Sequence, residues 1–485
     1  MRRIARVLIV GGGSSGWMTA AYLQQQLGTE VQITLIEASD IPIIGVGEST
    51  NAVMFHFARA LGLDEKSLLR ASNGAFKVGI RFCNFNRQGG VFYHPFGLPS
   101  GDGMFKPHAE RLHAPFQFAE RGNEFVRKAG HAYQLDAGLF GEYLKIRSRH
   151  KGVRHVVDRI ERVERDESGQ IARLHTVGSG PLEADLYVDC SGFGSLLLDK
   201  ALQEPFISVN HQLLNDRAIA ARVQYVDKDR ELRTVTNCVG VSSGWVWEIP
   251  LWSRIGTGYV YSSAYLSQTD AEAEFRTYLG EQRVKDVEFN HIRIRAGRHE
   301  RAWVGNCVAI GISYGFLEPL ESTGLSLTQL MIFDLAAALA ADGSSVARST
   351  FNRRQAELFD TTKDFILAHY VLTSRDDTPY WRHIKYDCPI PDSLNDILME
   401  ARQKRYALIE GQVNKFYAAL NWNLILSGMG WFDGAEPPKA PMPPAAAALH
   451  ATFLKEHIYD GDYQEPQSVG HRGPVTLPSW APTWM

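Results

Sequence analysis

The chain has 485 residues, 45% hydrophobic, 11% aromatic and 22% charged, with a formal net charge of -3. That length admits about three domains or one large fold with insertions, and the composition excludes disordered, collagenous and small disulfide-stapled classes. Near-neutral charge lacks the basic excess of a nucleic-acid binder, so no nucleic acid is expected as a partner. The five cysteines, Cys83, Cys190, Cys238, Cys307 and Cys388, form no CxxC pair. This spacing predicts neither a metal site nor a disulfide framework and fits a reducing cytoplasm. No run of 18 apolar residues occurs, so no membrane span is expected. The opening MRRIARVLIVGGGSSG is like a signal peptide only briefly, because glycines break its apolar run.

The first element is a short buried strand over residues 5–10, apolar without alternation as in a parallel sheet. GGGSSG follows, with Gly11, Gly13 and Gly16 in a G-x-G-x-x-G register and Ser14 beside them. Residues 17–27 then read as a helix, and VQITLIE as a second strand ending at Glu37. Gly11 permits a tight turn, Gly13 lets backbone approach a pyrophosphate, and Gly16 lets helix and strand pack closely. The helix N-terminus offers N–H groups to phosphates, and Glu37 lies 37 − 16 = 21 residues after the last glycine, where an acid binds ribose hydroxyls. The unit predicts dinucleotide binding, with FAD or NAD favoured over NADP.

No second unit of this kind occurs, so one dinucleotide is expected. ADLYVDCSGFGS (184–195) places a strand before a glycine turn, and CVAIGISYGFLEPLESTG (307–324) does so again before the helical LSLTQLMIFDLAAALA. Each alone is an ordinary strand-to-loop junction. Their ordered distribution resembles the flavin monooxygenase superfamily, in which separated segments close around one FAD.

GWVWEIP (244–250) puts Trp245 and Trp247 on one strand face, followed by Ile249 and Pro250. Alternating tryptophans also read as plain core. The segment resembles the signature of flavin-dependent halogenases of the tryptophan-halogenase family. FLEPLESTG (316–324), with Phe316, Pro319, Ser322 and Gly324, is similar to a second family motif, and GVGEST, AFKVGIRF and FYHPFG add to the likeness. The resemblance implies an α/β, flavin-monooxygenase-like FAD-binding fold with a GxGxxG Rossmann-type βαβ unit and a mainly helical C-terminal substrate region. It sets an FAD-binding domain with an interleaved substrate-side sheet at 1–345. A helical substrate region and tail follow at 346–485.

Within AFKVGIRF, Phe76, Val78, Ile80 and Phe82 share one face and Lys77, Gly79 and Arg81 the other. By periodicity alone Lys77 belongs to a solvated polar face. The resemblance makes it the active-site lysine, able as ammonium to hydrogen-bond hypohalous acid or as amine to form a haloamine. Glu321 reads alone as a helix N-terminal acid, with Ser322 or Thr323 capping the helix after it. By resemblance it polarises the halogen source and helps remove the ring proton. The backbone of Thr323 and Gly324 is implied to bind the halide. Gly47, Glu48 and Ser49 are implied to contact the flavin. Trp245 and Trp247 are implied to block a monooxygenase reaction rather than bind substrate.

Alternation in FYHPFG turns Phe92, His94 and Phe96 to one side, and the resemblance sets His94 and Phe96 in an aromatic pocket; a satisfied core histidine is the other reading of His94. Phe416 and Asn421 match the family's aromatic and amide pocket positions, with Tyr417 where a tryptophan is usual. The expected tyrosine pair falls on Arg405 and Tyr406, and the expected acid on Gln412. Losing that acid removes an ammonium's counter-charge, which disfavours free tryptophan and favours a simple indole, or an indole or phenol within a larger molecule. PPKAPMPPAAAALH (437–450) reads as a semi-rigid connector. The tail LPSWAPTWM packs back on the surface or against a second subunit, as in a homodimer.

The expected activity is therefore FADH2- and O2-dependent chlorination or bromination of an electron-rich aromatic, in the cytoplasm. A separate NAD(P)H:flavin reductase would supply FADH2. An FAD-dependent aromatic hydroxylase is the rival, sharing the glycine motif and Glu37. A flavin-binding redox sensor without turnover is a third reading.

Overall fold

The computed structural model describes residues 4–41, 45, 47–96, 131–285, 287–341, 343–404, 416–431 and 454–459. Strand β1 (Arg6–Val10) buries four consecutive apolar side chains and passes through the glycines into α1 (Ser14–Leu27). The helix starts three residues before the sequence expectation, because Gly13 adopts an extended N-cap conformation and its carbonyl accepts from Trp17 N at 3.1 Å. β2 (Gln32–Glu37) then pairs parallel to β1, and Gly11 N donates to Ile36 O at 2.9 Å.

β3 (Glu48–Ser49), α2 (Ala52–Ala60), β4 (Ala75–Lys77), β5 (Gly79–Cys83), β6 (Val91–Pro95), β7 (Ala132–Leu135) and β8 (Arg154–Val157) follow. AFKVGIRF is thus two strands, and this corrects the single alternating strand read from the sequence. At Val78 the chain leaves one sheet for another: β4 pairs with β7, whereas β5 pairs with β6 and with the later strand at 235–240. Lys77 sits at that transfer point with no exposure, so the expected solvated face does not exist.

Next come β9 (Leu186–Asp189), β10 (Arg217–Val223), β11 (Val235–Gly240), β12 (Gly244–Pro250), β13 (Ile255–Tyr261), β14 (Asn290–Arg293), β15 (Trp303–Val304) and β16 (Cys307–Ala309). A six-stranded sheet, β15-β16-β9-β1-β2-β8, is parallel except at its β15 edge. A seven-stranded sheet, β14-β10-β13-β12-β11-β5-β6, is antiparallel save for the β11–β5 pair. β3, β7 and β4 form a small third sheet beside them.

Helix α3 (Thr323–Ala340) packs against α1, α2 and α4 (Ser345–Val371). Residues 320–340 are long and apolar enough to pass for a membrane span by composition, yet they form a core helix carrying the buried Gln329 and Asp334. In α4 every residue of 362–370 is buried, so this stretch has no solvent face. α5 (Ala419–Gly428) packs on β6 and α4. Trp17, Trp245, Trp381 and Trp422 are fully buried, each removing an area equivalent to about 4 kcal/mol or more of hydrophobic transfer.

Candidate active site

Lys77 leaves the end of β4 into the core. Its Nζ donates to Thr50 O at 2.9 Å and to Ser322 Oγ at 2.7 Å, and lies 4.7 Å from the centre of the Phe96 ring. Burial lowers its pKa to about 7, partly opposed by the nearby Glu321 carboxylate. Near neutral pH the nitrogen therefore exists as both amine and ammonium.

Glu321 and Ser322 lie in the turn before α3 with left-handed backbone, φ 63° and 59°. Such φ values cost a non-glycine residue roughly 1 kcal/mol or more each, and they persist where surrounding contacts hold them. Here those contacts are to the site itself. Glu321 Oε2 faces His94 Nδ1 at 2.6 Å and Oε1 faces His369 Nε2 at 2.9 Å. Burial opposes ionisation of this carboxyl, but the charges and hydrogen bonds of His94 and His369 prevail and hold it down to about 2. Ser322 stands at the N-cap position of α3 yet makes no side-chain cap; its hydroxyl goes to Lys77 and Ser49. The capping role read from the sequence is corrected accordingly, while Thr323 opens the helix and bonds Leu320 O at 3.5 Å.

His94 reaches the site from β6, and its Nε2 faces Asn421 Nδ2 of α5 at 2.9 Å. Tyr417 stacks on Phe365 at 3.7 Å between ring centres, and Phe416 meets Tyr417 edge-on at 4.6 Å. The structure thus gathers Lys77, His94, Phe96, Glu321 and Asn421 from four separate segments. Arg405, Tyr406 and Gln412, Gly97 of FYHPFG, the 437–450 connector and the tail tryptophans lie outside the described residues.

Trp245 and Trp247 do share one face of β12, 6.1 Å apart, both buried with Ile249 and Pro250. Trp247 lies across from Gly258 of β13, where a Cβ would come within 2.2 Å of its ring. Trp245 donates its indole N–H to Glu318 Oε2 at 2.8 Å. Sequence reasoning missed Glu318, His369 and Thr236. Glu318 stood in the quoted FLEPLESTG, three residues before Glu321, whereas His369 is one of many polar residues in its helix and carries no such signal.

At the nucleotide end, Gly11 has φ 112° and a Cβ there would sit 2.3 Å from Cys190 O; one on Gly16 would sit 1.9 Å from Gly11 O. Among the described residues nothing lies within 4 Å of a Cβ on Gly13, and no side chain caps α1. The helix thus presents open N–H groups beside free space, which suits a pyrophosphate. Glu37 ends β2 with Oε1 facing His155 Nε2 at 2.7 Å, and Ser14 Oγ donates to Ala137 O at 3.2 Å. These residues fit the adenosine and diphosphate of FAD. Gly47 has a positive φ of 150°, which favours glycine, and packs near Gly256; burial with the neighbouring Asp136 charge raises Glu48 to about 7. Ser49 turns its hydroxyl inward, 2.6 Å from Thr236 Oγ1. Phe316 meets Phe193 edge-on at 5.2 Å, joining the second and third glycine-turn segments.

A family model described as tryptophan halogenase matches residues 6–444. Tryptophan 7-halogenase RebH of Lentzea aerocolonigenes is 35% identical, over 93% of this chain and 94% of that protein. The crystal structure of tryptophan 6-halogenase SttH from Streptomyces toxytricini superposes with a TM-score of 0.81 at 34% identity, covering 94% of this chain and 98% of that one. A flavin-dependent halogenase from Xanthomonas campestris gives 0.83 at 30% identity, covering 96% and 100%.

Proposed function

The chain belongs to the tryptophan halogenase family of flavin-dependent enzymes, and from that premise we propose that it installs chloride or bromide on an indole ring through Lys77 and Glu321. One observation carries the reading. A buried lysine with a pKa near 7 and a buried ionised glutamate share one site, joined through adjacent residues Glu321 and Ser322.

FAD, when bound and reduced, supplies with O2 and halide the hypohalous acid that serves as oxidant. Thr323 and Gly324 offer the first N–H groups of α3 to the halide. Lys77 holds the hypohalous acid by hydrogen bonding as ammonium, or takes its halogen as amine. In the second case N–X forms, O–X breaks, and hydroxide leaves with one N–H proton as water. Glu321 stands ready as carboxylate to stabilise the cationic ring and accept its proton, and His94 and His369 hold its two oxygens in place. Phe96 and Phe416 supply flat apolar surface for the ring. Trp245 and Trp247 fill the space that would otherwise admit substrate to the flavin.

A separate NAD(P)H:flavin reductase provides FADH2, since the chain carries one dinucleotide motif. The five free cysteines fit a cytoplasmic enzyme. The test is a panel of indole, substituted indoles and tryptophan with reductase, NADH, FAD, O2 and chloride or bromide, read by mass spectrometry. Products with the halogen isotope pattern are expected, with indole preferred over free tryptophan. Oxygen incorporation without halogen would establish the hydroxylase instead. Bound FAD with no product from any member would leave the redox sensor.

A further inference from the structure

Among the described residues Lys77 has two hydrogen-bond partners, and they differ in kind. Thr50 O, 2.9 Å away, can only accept. Ser322 Oγ, 2.7 Å away, could accept from the nitrogen or donate to it, and the direction of its own proton decides. That proton goes to Ser49 Oγ at 2.8 Å. Ser49, already an acceptor there, lies 2.6 Å from Thr236 Oγ1, in a contact that either hydroxyl can donate. All three hydroxyls are buried, and they come from β3, β11 and the turn before α3. With its proton committed to Ser49, Ser322 accepts from Lys77. An amine in this setting spends both N–H groups on Thr50 and Ser322, so its lone pair alone is uncommitted.

We infer that Ser49 is a positioning residue: acting through Ser322 and braced by Thr236, it keeps Lys77 a double donor whose lone pair stays free to take the halogen. The inference rests on the role proposed for Lys77 and narrows it to the amine pathway. The lone pair attacks the halogen of hypohalous acid, the O–X bond breaks, and the departing hydroxide removes one proton from nitrogen as water.

Removing the Ser49 hydroxyl frees the proton of Ser322 to turn onto the nitrogen. That caps the lone pair and favours the neutral amine over the ammonium. The ionisable groups facing Lys77 are Glu321 from the turn and Cys238 from β11, and Glu321 itself faces His94 and His369. Glu48 adjoins Ser49 on β3 and titrates near pH 7. Because Ser49→Ala leaves all of these in place, a shift in the pH profile reports the hydroxyl chain.

The experiment is the pH dependence of kcat for halogenation in Ser49→Ala, Ser49→Thr and Thr236→Val, with FAD affinity and melting temperature measured on each. Ser49→Ala should lower kcat about fivefold with KM within about twofold, and move the acid limb about half a unit to one unit lower. Ser49→Thr keeps a hydroxyl and should restore both. Thr236→Val removes the hydroxyl beside Ser49; with Ser49 the donor in that contact, Ser49 turns on Ser322 and the same shift appears, which provides a second route should Ser49→Ala not fold. Folded, FAD-binding variants whose acid limb superimposes on that of the wild type overturn the inference. Persistent halogenation in Lys77→Ala would instead overturn the role of the lysine itself, a separate result.

Discussion

The indole N–H of Trp245 donates to Glu318 Oε2 at 2.8 Å and so ties strand β12 to the turn that carries Glu321. Tyr370 Oη at 2.6 Å and Asn215 Nδ2 at 2.9 Å donate to the same oxygen, while Oε1 has no hydrogen-bond partner among the described residues. Burial raises the pKa of this carboxyl against the pull of its three donors. Tyr370 follows His369 on α4, so adjacent residues of one helix hold both glutamates of the turn.

Truncating Glu318 takes the acceptor from the buried donors Trp245 Nε1 and Tyr370 Oη and leaves Asn215 Nδ2 with Tyr370 Oη alone. Glu318→Ala should cost about 3 kcal/mol or more, whereas Glu318→Gln keeps an acceptor oxygen and should cost about 1 kcal/mol. Thermal unfolding of the two variants checks the order, and equal losses would show that the oxygen is not what matters.

Glu321 gives an acid-stability prediction. Its folded pKa, about 2, lies below the ordinary carboxylate value. Ionised Glu321 therefore contributes stability above about pH 4.5, about 3 kcal/mol, which is lost as pH falls towards 2. Glu321→Gln should be less stable than the wild type at pH 7, with the gap closing by pH 2 to 3. Denaturant unfolding at both ends measures it, and a gap independent of pH would rule out the ionised carboxylate as its source.

The local signals in the chain read correctly because they are local. The strand, glycines and helix of residues 6–27 need only neighbours in sequence, and the shared face of Trp245 and Trp247 follows from a period of two. Lys77 defeated periodicity because alternation describes one strand in one sheet, and the chain changes sheets at Val78. Ser322 carries a good capping side chain at a helix start, yet Lys77 and Ser49, 245 and 273 residues away, compete for it successfully. His369 was illegible for a similar reason. Its partner arrives from a turn 48 residues away, and nothing in its own helix marks it out.

Lys77 should be costly to stability. Its folded pKa, about 7, lies below the usual 10.4, so stability is highest above about pH 10 and is lost as pH falls towards 7. The full cost, about 4–5 kcal/mol, applies at pH 6 and about 2 kcal/mol remains at pH 9. Lys77→Met should therefore raise the melting temperature more at pH 6 than at pH 9, while abolishing halogenation and sparing FAD binding. A variant less stable than the wild type at pH 6 would mean that the bonds to Thr50 and Ser322 outweigh the buried charge.

Glu37 offers a test of the cofactor end that needs no turnover. His155 faces Oε1 at 2.7 Å, Lys145 lies 3.6 Å from the same oxygen, and the ring of Trp17 meets His155 edge-on at 5.1 Å. The carboxylate is thus held at the end of β2, next to Gly12, where a Cβ would sit 1.6 Å from Oε2. On the proposed function a carboxylate fixed there would bind the adenosine ribose hydroxyls of FAD, and charged hydrogen bonds of this kind are worth about 1.5–3 kcal/mol. Glu37→Ala should weaken FAD about 10- to 100-fold, because 1.4 kcal/mol is a factor of ten in affinity. Flavin mononucleotide lacks the adenosine, so its weaker binding should not change. Titration of flavin fluorescence with each ligand separates the two cases. An equal loss for both would place Glu37 in the folding of the β2 edge instead of in ribose recognition, since damage to the sheet would not distinguish a ligand with the ribose from one without it.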